Sequence, residues 1–127
     1  MPCVLFVDDE PKVLSAYERC LKDEPYRVVT TTSAADALLV LAREPIDVVV
    51  SDESMPGMTG TEFLGLVRRR FPDVVRIMLT AVADLTVTRR AIEEGVLYRL
   101  LAKPAVMAEL SSTLRNALHM KTLARAR

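Results

Sequence analysis

Cys3-Val4-Leu5-Phe6-Val7-Asp8-Asp9-Glu10-Pro11 (residues 3–11) sets an apolar run directly against three acids and a proline. A nearly unbroken apolar run of this length reads as a strand covered on both faces, as in a parallel sheet between layers of helices. Pro11 suits the first turn of a helix, where its missing N–H costs nothing, and Leu14, Tyr17 and Leu21 recur at helical spacing. Asp8, Asp9 and Glu10 therefore sit where a buried strand ends and a helix begins.

The unit repeats toward the C-terminus. Residues 27–31 read as a second strand, Ser33 as an N-cap, and the Ala- and Leu-rich residues 34–42 as a helix. Residues 48–51 are a strand, and 61–70 a helix that ends before Phe71-Pro72. Residues 75–79 are the fourth strand; Asp84 caps the next helix and Gly95 terminates it. Residues 97–101 are the last strand. From Val106 a long helix follows, with Leu110, Leu114, Ala117 and Leu118 as its apolar stripe. Five strand–helix pairs joined by short loops specify an α/β, doubly wound parallel sheet with helices on both faces.

The 127 residues fit one domain. Lys plus Arg and Asp plus Glu number 17 each, so no global field favours nucleic acid or an acidic membrane. The longest apolar runs are far too short to span a bilayer, and no secretory signal opens the chain. Cys3 and Cys20 form neither a CxxC pair nor a metal cluster, so both read as reduced core or near-core residues of a cytoplasmic protein. The domain is expected over residues 1–119. Residues 120–127 continue a helical pattern, either as a frayed basic end or as the start of a linker to a further domain.

Polar residues fall at the strand ends: Asp8-Asp9-Glu10 after the first, Asp52 after the third, Thr80 after the fourth, Lys103 after the fifth. Parallel strands put all these ends on one edge, where such folds bind ligands. With strands one and three adjacent, Asp8, Asp9 and Asp52 converge. Three packed carboxylates repel unless a cation or protons intervene. Hard oxygen ligands suit Mg²⁺, which accepts a few carboxylates and keeps waters. Lys103 offers a point charge and Thr80 a hydroxyl to a phosphoryl oxygen, and a carboxylate can itself attack phosphorus.

Val7-Asp8-Asp9-Glu10, Asp52-Glu53-Ser54-Met55-Pro56-Gly57-Met58-Thr59-Gly60, Leu79-Thr80-Ala81 and Lys103-Pro104, in that order, resemble the receiver domains of two-component response regulators. The resemblance covers residues 3 to 118. It implies a flavodoxin-like receiver fold with strand order 2-1-3-4-5 and a phosphorylation switch that is not an enzyme. In this reading Asp52 receives a phosphoryl group from a sensor histidine kinase or phosphotransfer protein. Mg²⁺ lies on Asp8, Asp9, Asp52 and the Ser54 carbonyl, with Asp8 acting largely through water. Thr80 and Lys103 contact the phosphoryl group, the Lys103–Pro104 peptide is cis, and Met55-Pro56-Gly57 shapes the loop beside the acceptor. The signalling face is the fourth helix, fifth strand and last helix, roughly residues 85–118. It acts on an output domain in a longer parent chain, on a separate partner, or on a second copy as a homodimer. Residues 97–104 look most like receivers attached to cyclic-di-GMP phosphodiesterases or other enzymatic outputs.

Two positions depart from the family pattern. Leu100 stands where many receivers carry a switch aromatic; the nearest aromatic, Tyr98, is expected on the same side of the strand, so the relay is absent, weakened or moved to Tyr98. Ala105 replaces a larger residue after Lys-Pro. The apolar Val82 offers nothing to orient an attacking water, which implies slow self-dephosphorylation. Arg68-Arg69-Arg70 reads as the solvated, dipole-compatible end of a helix, His119 as structural or exposed, and the methionines as mostly core filler. A haloacid-dehalogenase-type phosphatase would want DxDxT where this chain has Asp8-Asp9-Glu10. A flavodoxin-like cofactor binder would want a hydroxyl- or glycine-rich loop there. A receiver-like docking module without phosphoacceptance is disfavoured by the complete acceptor set.

Overall fold

The computed structural model describes residues 1–81, 94–95, 97–103 and 107–125. Within them lie β1 (Cys3–Val7), α1 (Pro11–Leu21), β2 (Arg27–Thr31), α2 (Ala34–Arg43), β3 (Val48–Asp52), α3 (Gly60–Arg70), β4 (Val75–Thr80), β5 (Arg99–Ala102) and a C-terminal helix (Met107–Arg125). The strands form one parallel sheet in the order β2-β1-β3-β4-β5, as expected from the resemblance.

Burial explains why these runs become strands. β1 and β3 are buried at every position, and alternate side chains feed two separate cores. Leu5, Val7, Val49 and Met78 pack with Ala37 and Leu41 of α2 and Phe63, Leu64 and Val67 of α3. Val4, Phe6, Val50, Ile77 and Leu79 pack on the other face with Leu14, Tyr17 and Leu21 of α1 and Leu110, Leu114 and Ala117 of the C-terminal helix. Leu118, at the edge of that stripe, is only partly buried.

Local signals fix the helix starts. Pro11 opens α1. The Ser33 hydroxyl accepts from the Asp36 N–H at 3.1 Å, a cap worth about 1 kcal/mol. Thr59 and Glu62 form a reciprocal capping box on α3, which therefore begins at Gly60. The C-terminal helix has 19 residues, a length of roughly 28 Å. It is fastened at two places: Ser111 and Arg115 each bond the Glu24 carboxylate at 2.7 Å, and Lys121 pairs with Asp47 at 3.4 Å. Asp47 also accepts from the Cys3 N–H at 2.8 Å. The helix thus runs without a break past residue 119.

Three expectations need correction. The last strand begins at Arg99, with Tyr98 in a bend before it that is tied by its N–H to the Arg76 carbonyl at 2.7 Å. Because strand alternation does not extend back to Tyr98, its ring packs on the α1 layer while Leu100 packs on the α2–α3 layer. Tyr98 and Leu100 do not share a side. Cys3 is buried, but Cys20 lies on the exposed face of α1; both are free thiols. Four methionines (Met55, Met58, Met78 and Met107) join the cores, whereas Met1 and Met120 are exposed. His119 is exposed, as are Arg68, Arg69 and Arg70 in the last turn of α3. The helix capped by Asp84, together with Val82, Pro104 and its peptide bond, Ala105 and Val106, lies outside the described residues. Among the described residues, no helix is long and apolar enough to cross a membrane.

Candidate functional site

The register of the sheet brings the strand ends level. Val7 pairs with Ser51, Asp52 with Leu79, and Thr80 with Ala102. One residue beyond these pairs, Asp8 donates its N–H to the Thr31 carbonyl at 3.2 Å, and Lys103 donates its N–H to Thr80 at 2.7 Å. The acceptor edge of the sheet is thus closed by backbone bonds from β2 across to β5.

On that edge the carboxylates of Asp8, Asp9 and Asp52 come together, with one oxygen of each within 4.8 Å of the others. Asp8 and Asp52 are buried, at 2% and 6% exposure, and Asp9 is open to solvent. Such a group persists only if its charge is balanced. Lys103 supplies that balance, with its ammonium 2.9 Å from Asp52 and 3.2 Å from Asp8. Burial pulls the Lys103 pKa down, but the hydrogen bonds and charges of Asp52 and Asp8 outweigh this and raise it. The lysine stays protonated across the physiological range.

The remaining expected residues cluster beside this group. Thr80 is fully buried at the end of β4, and its hydroxyl donates to the Ala81 carbonyl at 3.4 Å. Ser54 is exposed and points its N–H at Asp52 Oδ1, 3.4 Å away. The Glu10 N–H donates to Asp8 Oδ1 at 2.9 Å, which fixes that carboxylate in its turn. The all-oxygen donor set of Asp8, Asp9 and Asp52, two buried and one open to water, suits a hard divalent cation that keeps waters, as Mg²⁺ does.

Two neighbours of the site were not singled out from sequence. Tyr17, on the buried stripe of α1, has its phenol pKa raised by burial first; the Lys103 charge lowers it and Asp8 and Asp52 raise it, so the ring lies within electrostatic reach of the site. Its ring centroid is 4.8 Å from that of Phe6. Glu53 turns away from the acidic group and bonds Thr61 through both carboxylate oxygens, at 2.7 and 2.6 Å. The pair is eight residues apart, a spacing for which no local rule exists.

A doubly wound parallel sheet with an acidic trio and a lysine on its carboxyl edge defines a class of phosphoacceptor modules. The comparisons agree: residues 4–115 match the response regulator receiver domain, and the chain belongs to that family. It is 40% identical over 120 residues to the hydrogenase transcriptional regulatory protein HoxA of Cupriavidus necator, covering 94% of this chain and 25% of that protein. It is 36% identical over 124 residues to the transcriptional regulatory protein KdpE of Mycobacterium tuberculosis, covering 98% of this chain and 54% of that one. The chain therefore spans between a quarter and about half of these relatives.

Among solved structures, the signal receiver domain of an HD domain-containing protein from Pseudomonas fluorescens superposes with a TM-score of 0.90 at 35% identity, covering 99% of this chain and 93% of that one. Response regulator TrrA from Thermotoga maritima, in complex with Mg(2+)-BeF, superposes with a TM-score of 0.80 at 26% identity, covering 92% and 99%. The protein is a phosphoacceptor signalling domain of two-component systems, a class that is in general not enzymatic.

Proposed function

We propose that Asp52 is the phosphoryl acceptor, and that Asp8, Asp9, Asp52 and the Ser54 carbonyl hold Mg²⁺ beside it. The observation that carries this reading is the Asp8–Lys103–Asp52 bridge, with both its carboxylates buried, abutting solvent-open Asp9. A bound Mg²⁺ supplies charge neutralisation for an incoming phosphoryl group. One Asp52 oxygen attacks the phosphorus of a histidine kinase's phosphohistidine; the P–N bond breaks and the imidazole leaves with the electron pair. Lys103 is already on the Asp52 carboxylate and needs little movement to meet a phosphoryl oxygen. Thr80 gives up its weak bond to the Ala81 carbonyl and donates its hydroxyl to the phosphoryl group, which moves the end of β4. The 1–119 unit is the switch. Residues 120–127 lead toward an output domain in a longer parent chain, and the face from 85 to 118 carries the change outward.

Beryllofluoride with Mg²⁺ is expected to change the wild-type NMR spectrum along β4, β5 and the C-terminal helix. The same additions should leave Asp52→Ala untouched, and an equal response in both proteins would sink the assignment.

Two further outcomes follow from the residues flanking the site. Because Val82 presents no group to orient water, the aspartyl phosphate should persist for minutes or longer with Mg²⁺ present, and a half-life of seconds by acid-quenched labelling contradicts this. Because Tyr98 and Leu100 lie on opposite layers, an aromatic swing at Tyr98 cannot stand in for one at Leu100. Tyr98→Leu should therefore keep the beryllofluoride response, and losing it would restore Tyr98 as the relay.

A further inference from the structure

Glu53 adjoins the acceptor and carries the same charge, yet among the described residues its carboxylate bonds only the first turn of α3. Thr61 donates its N–H to Oε1 at 2.7 Å and its hydroxyl to Oε2 at 2.6 Å. The backbone of Glu53 is held as well: its N–H donates to the Leu79 carbonyl at 3.0 Å, and its carbonyl accepts from the Gly60 N–H at 2.9 Å. One residue is thus tied at four points, to β4 on one side and to α3 on the other. Residues 54–59 become a loop closed at its neck by Glu53. That loop carries Ser54, and through the Ser54 N–H it touches Asp52 Oδ1. Met55 and Met58 press its far side onto the α2–α3 core.

The capping box of α3 covers the N–H of Glu62, and Glu53 caps the further free N–H of Thr61. Capping does not call for the second bond, from the Thr61 hydroxyl to the other carboxylate oxygen. What the Glu53–Thr61 clasp adds is a fixed distance between the neck of the loop and the acceptor strand.

We infer that Glu53 is a positioning residue that, with Thr61, sets the placement of the Ser54 carbonyl relative to Asp52 and so tunes Mg²⁺ affinity. This rests on the metal assignment proposed above. Groups that orient ligands from behind typically contribute 10- to 100-fold in metal affinity. Here the action passes through backbone, so the lower figure applies.

The test measures the rate of Asp52 labelling by acetyl phosphate against Mg²⁺ concentration, with thermal unfolding in parallel. Proteins compared are wild type, Glu53→Ala, Thr61→Val and Thr61→Ser. Thr61→Val keeps the Glu53 charge and removes only the hydroxyl, so it separates positioning from simple electrostatics and remains informative if Glu53→Ala folds poorly. Thr61→Ser restores the donor and should match wild type. Glu53→Ala should raise the half-saturating Mg²⁺ concentration about tenfold, and Thr61→Val should raise it in the same direction. Both should leave the rate at saturating Mg²⁺ within about twofold of wild type. A lower unfolding temperature with unchanged half-saturation would make the clasp a cap and nothing more, and would overturn the inference. So would a lowered saturating rate with unchanged half-saturation. If wild type itself shows no Mg²⁺-dependent labelling, the metal assignment falls first, and that outcome is visible before any variant is compared.

Discussion

Lys103→Met is expected to destabilise the metal-free protein by about 2 kcal/mol, and added Mg²⁺ is expected to recover most of the loss. Removing one partner of a buried ion pair typically costs about 3–5 kcal/mol, because the other charge stays behind unpaired. The Lys103 side chain is 27% exposed, so solvent screens part of the interaction and a figure below that range is appropriate. For a domain of this size the loss corresponds to about 8 °C in Tm. Burial opposes protonation of Lys103, but Asp52 and Asp8 prevail and raise its pKa above the ordinary 10.5. A raised pKa means that the contribution from the lysine is complete below 10.5 and fades only as pH climbs through the folded-state value. The gap between wild type and Lys103→Met should therefore stay level from neutral pH to about 10 and close above that. Mg²⁺ should stabilise the variant more than wild type, since no ammonium has to be displaced. Equal Mg²⁺ stabilisation of the two proteins would show that Lys103 does not compete for the carboxylates.

Gly60→Ala is expected to cost about 2 kcal/mol and to weaken Mg²⁺ binding as well. A Cβ at position 60 would overlap the Asp52 carbonyl oxygen, and it would lie 2.8 Å from Glu53 Cα and 3.0 Å from the Asp52 carbonyl carbon. All three are main-chain atoms of the segment that presents the acceptor, so no rotamer change relieves the collision. Overpacking of this kind typically costs about 1–3 kcal/mol. The better helix propensity of alanine gives back up to about 1 kcal/mol, at the first residue of α3 where it counts least. Urea unfolding and a Mg²⁺ titration check both halves. A variant as stable and as tightly metal-binding as wild type would mean that the β3–α3 connection yields more easily than its bonds suggest.

The legible part of this fold was the part written in short-range patterns. Fully apolar runs such as Val48-Val49-Val50 announce strands, Ser33 announces a helix start, and the acids after β1 and β3 announce a functional edge. The order of the strands is non-local, and composition could not supply it; it came from the likeness of four motifs to a family. Lys103 was legible through its place after the fifth strand and the proline that follows it. Beyond these, the sequence carried no rule for bonds that join distant residues. Glu53 with Thr61, Glu24 with Ser111 and Arg115, and Asp47 with Lys121 are pairings set by tertiary packing. The side taken by Tyr98 was misread because alternation was carried back to a residue just before the true start of β5 at Arg99.

Glu24 and Asp47 precede β2 and β3, so both lie at the edge of the sheet opposite the acids. The C-terminal helix, which starts just after Lys103, is therefore a beam running from the reactive edge to the far one, held to Glu24 at Ser111 and Arg115 and to Asp47 at Lys121. About 21 Å of it lies ahead of Lys121 and about 6 Å beyond. Held at both places, and with Leu114 and Ala117 sunk in the core between them, the helix is braced against sideways swing and against rotation over its buried length, and only its last turn, past Lys121, overhangs the far edge of the sheet.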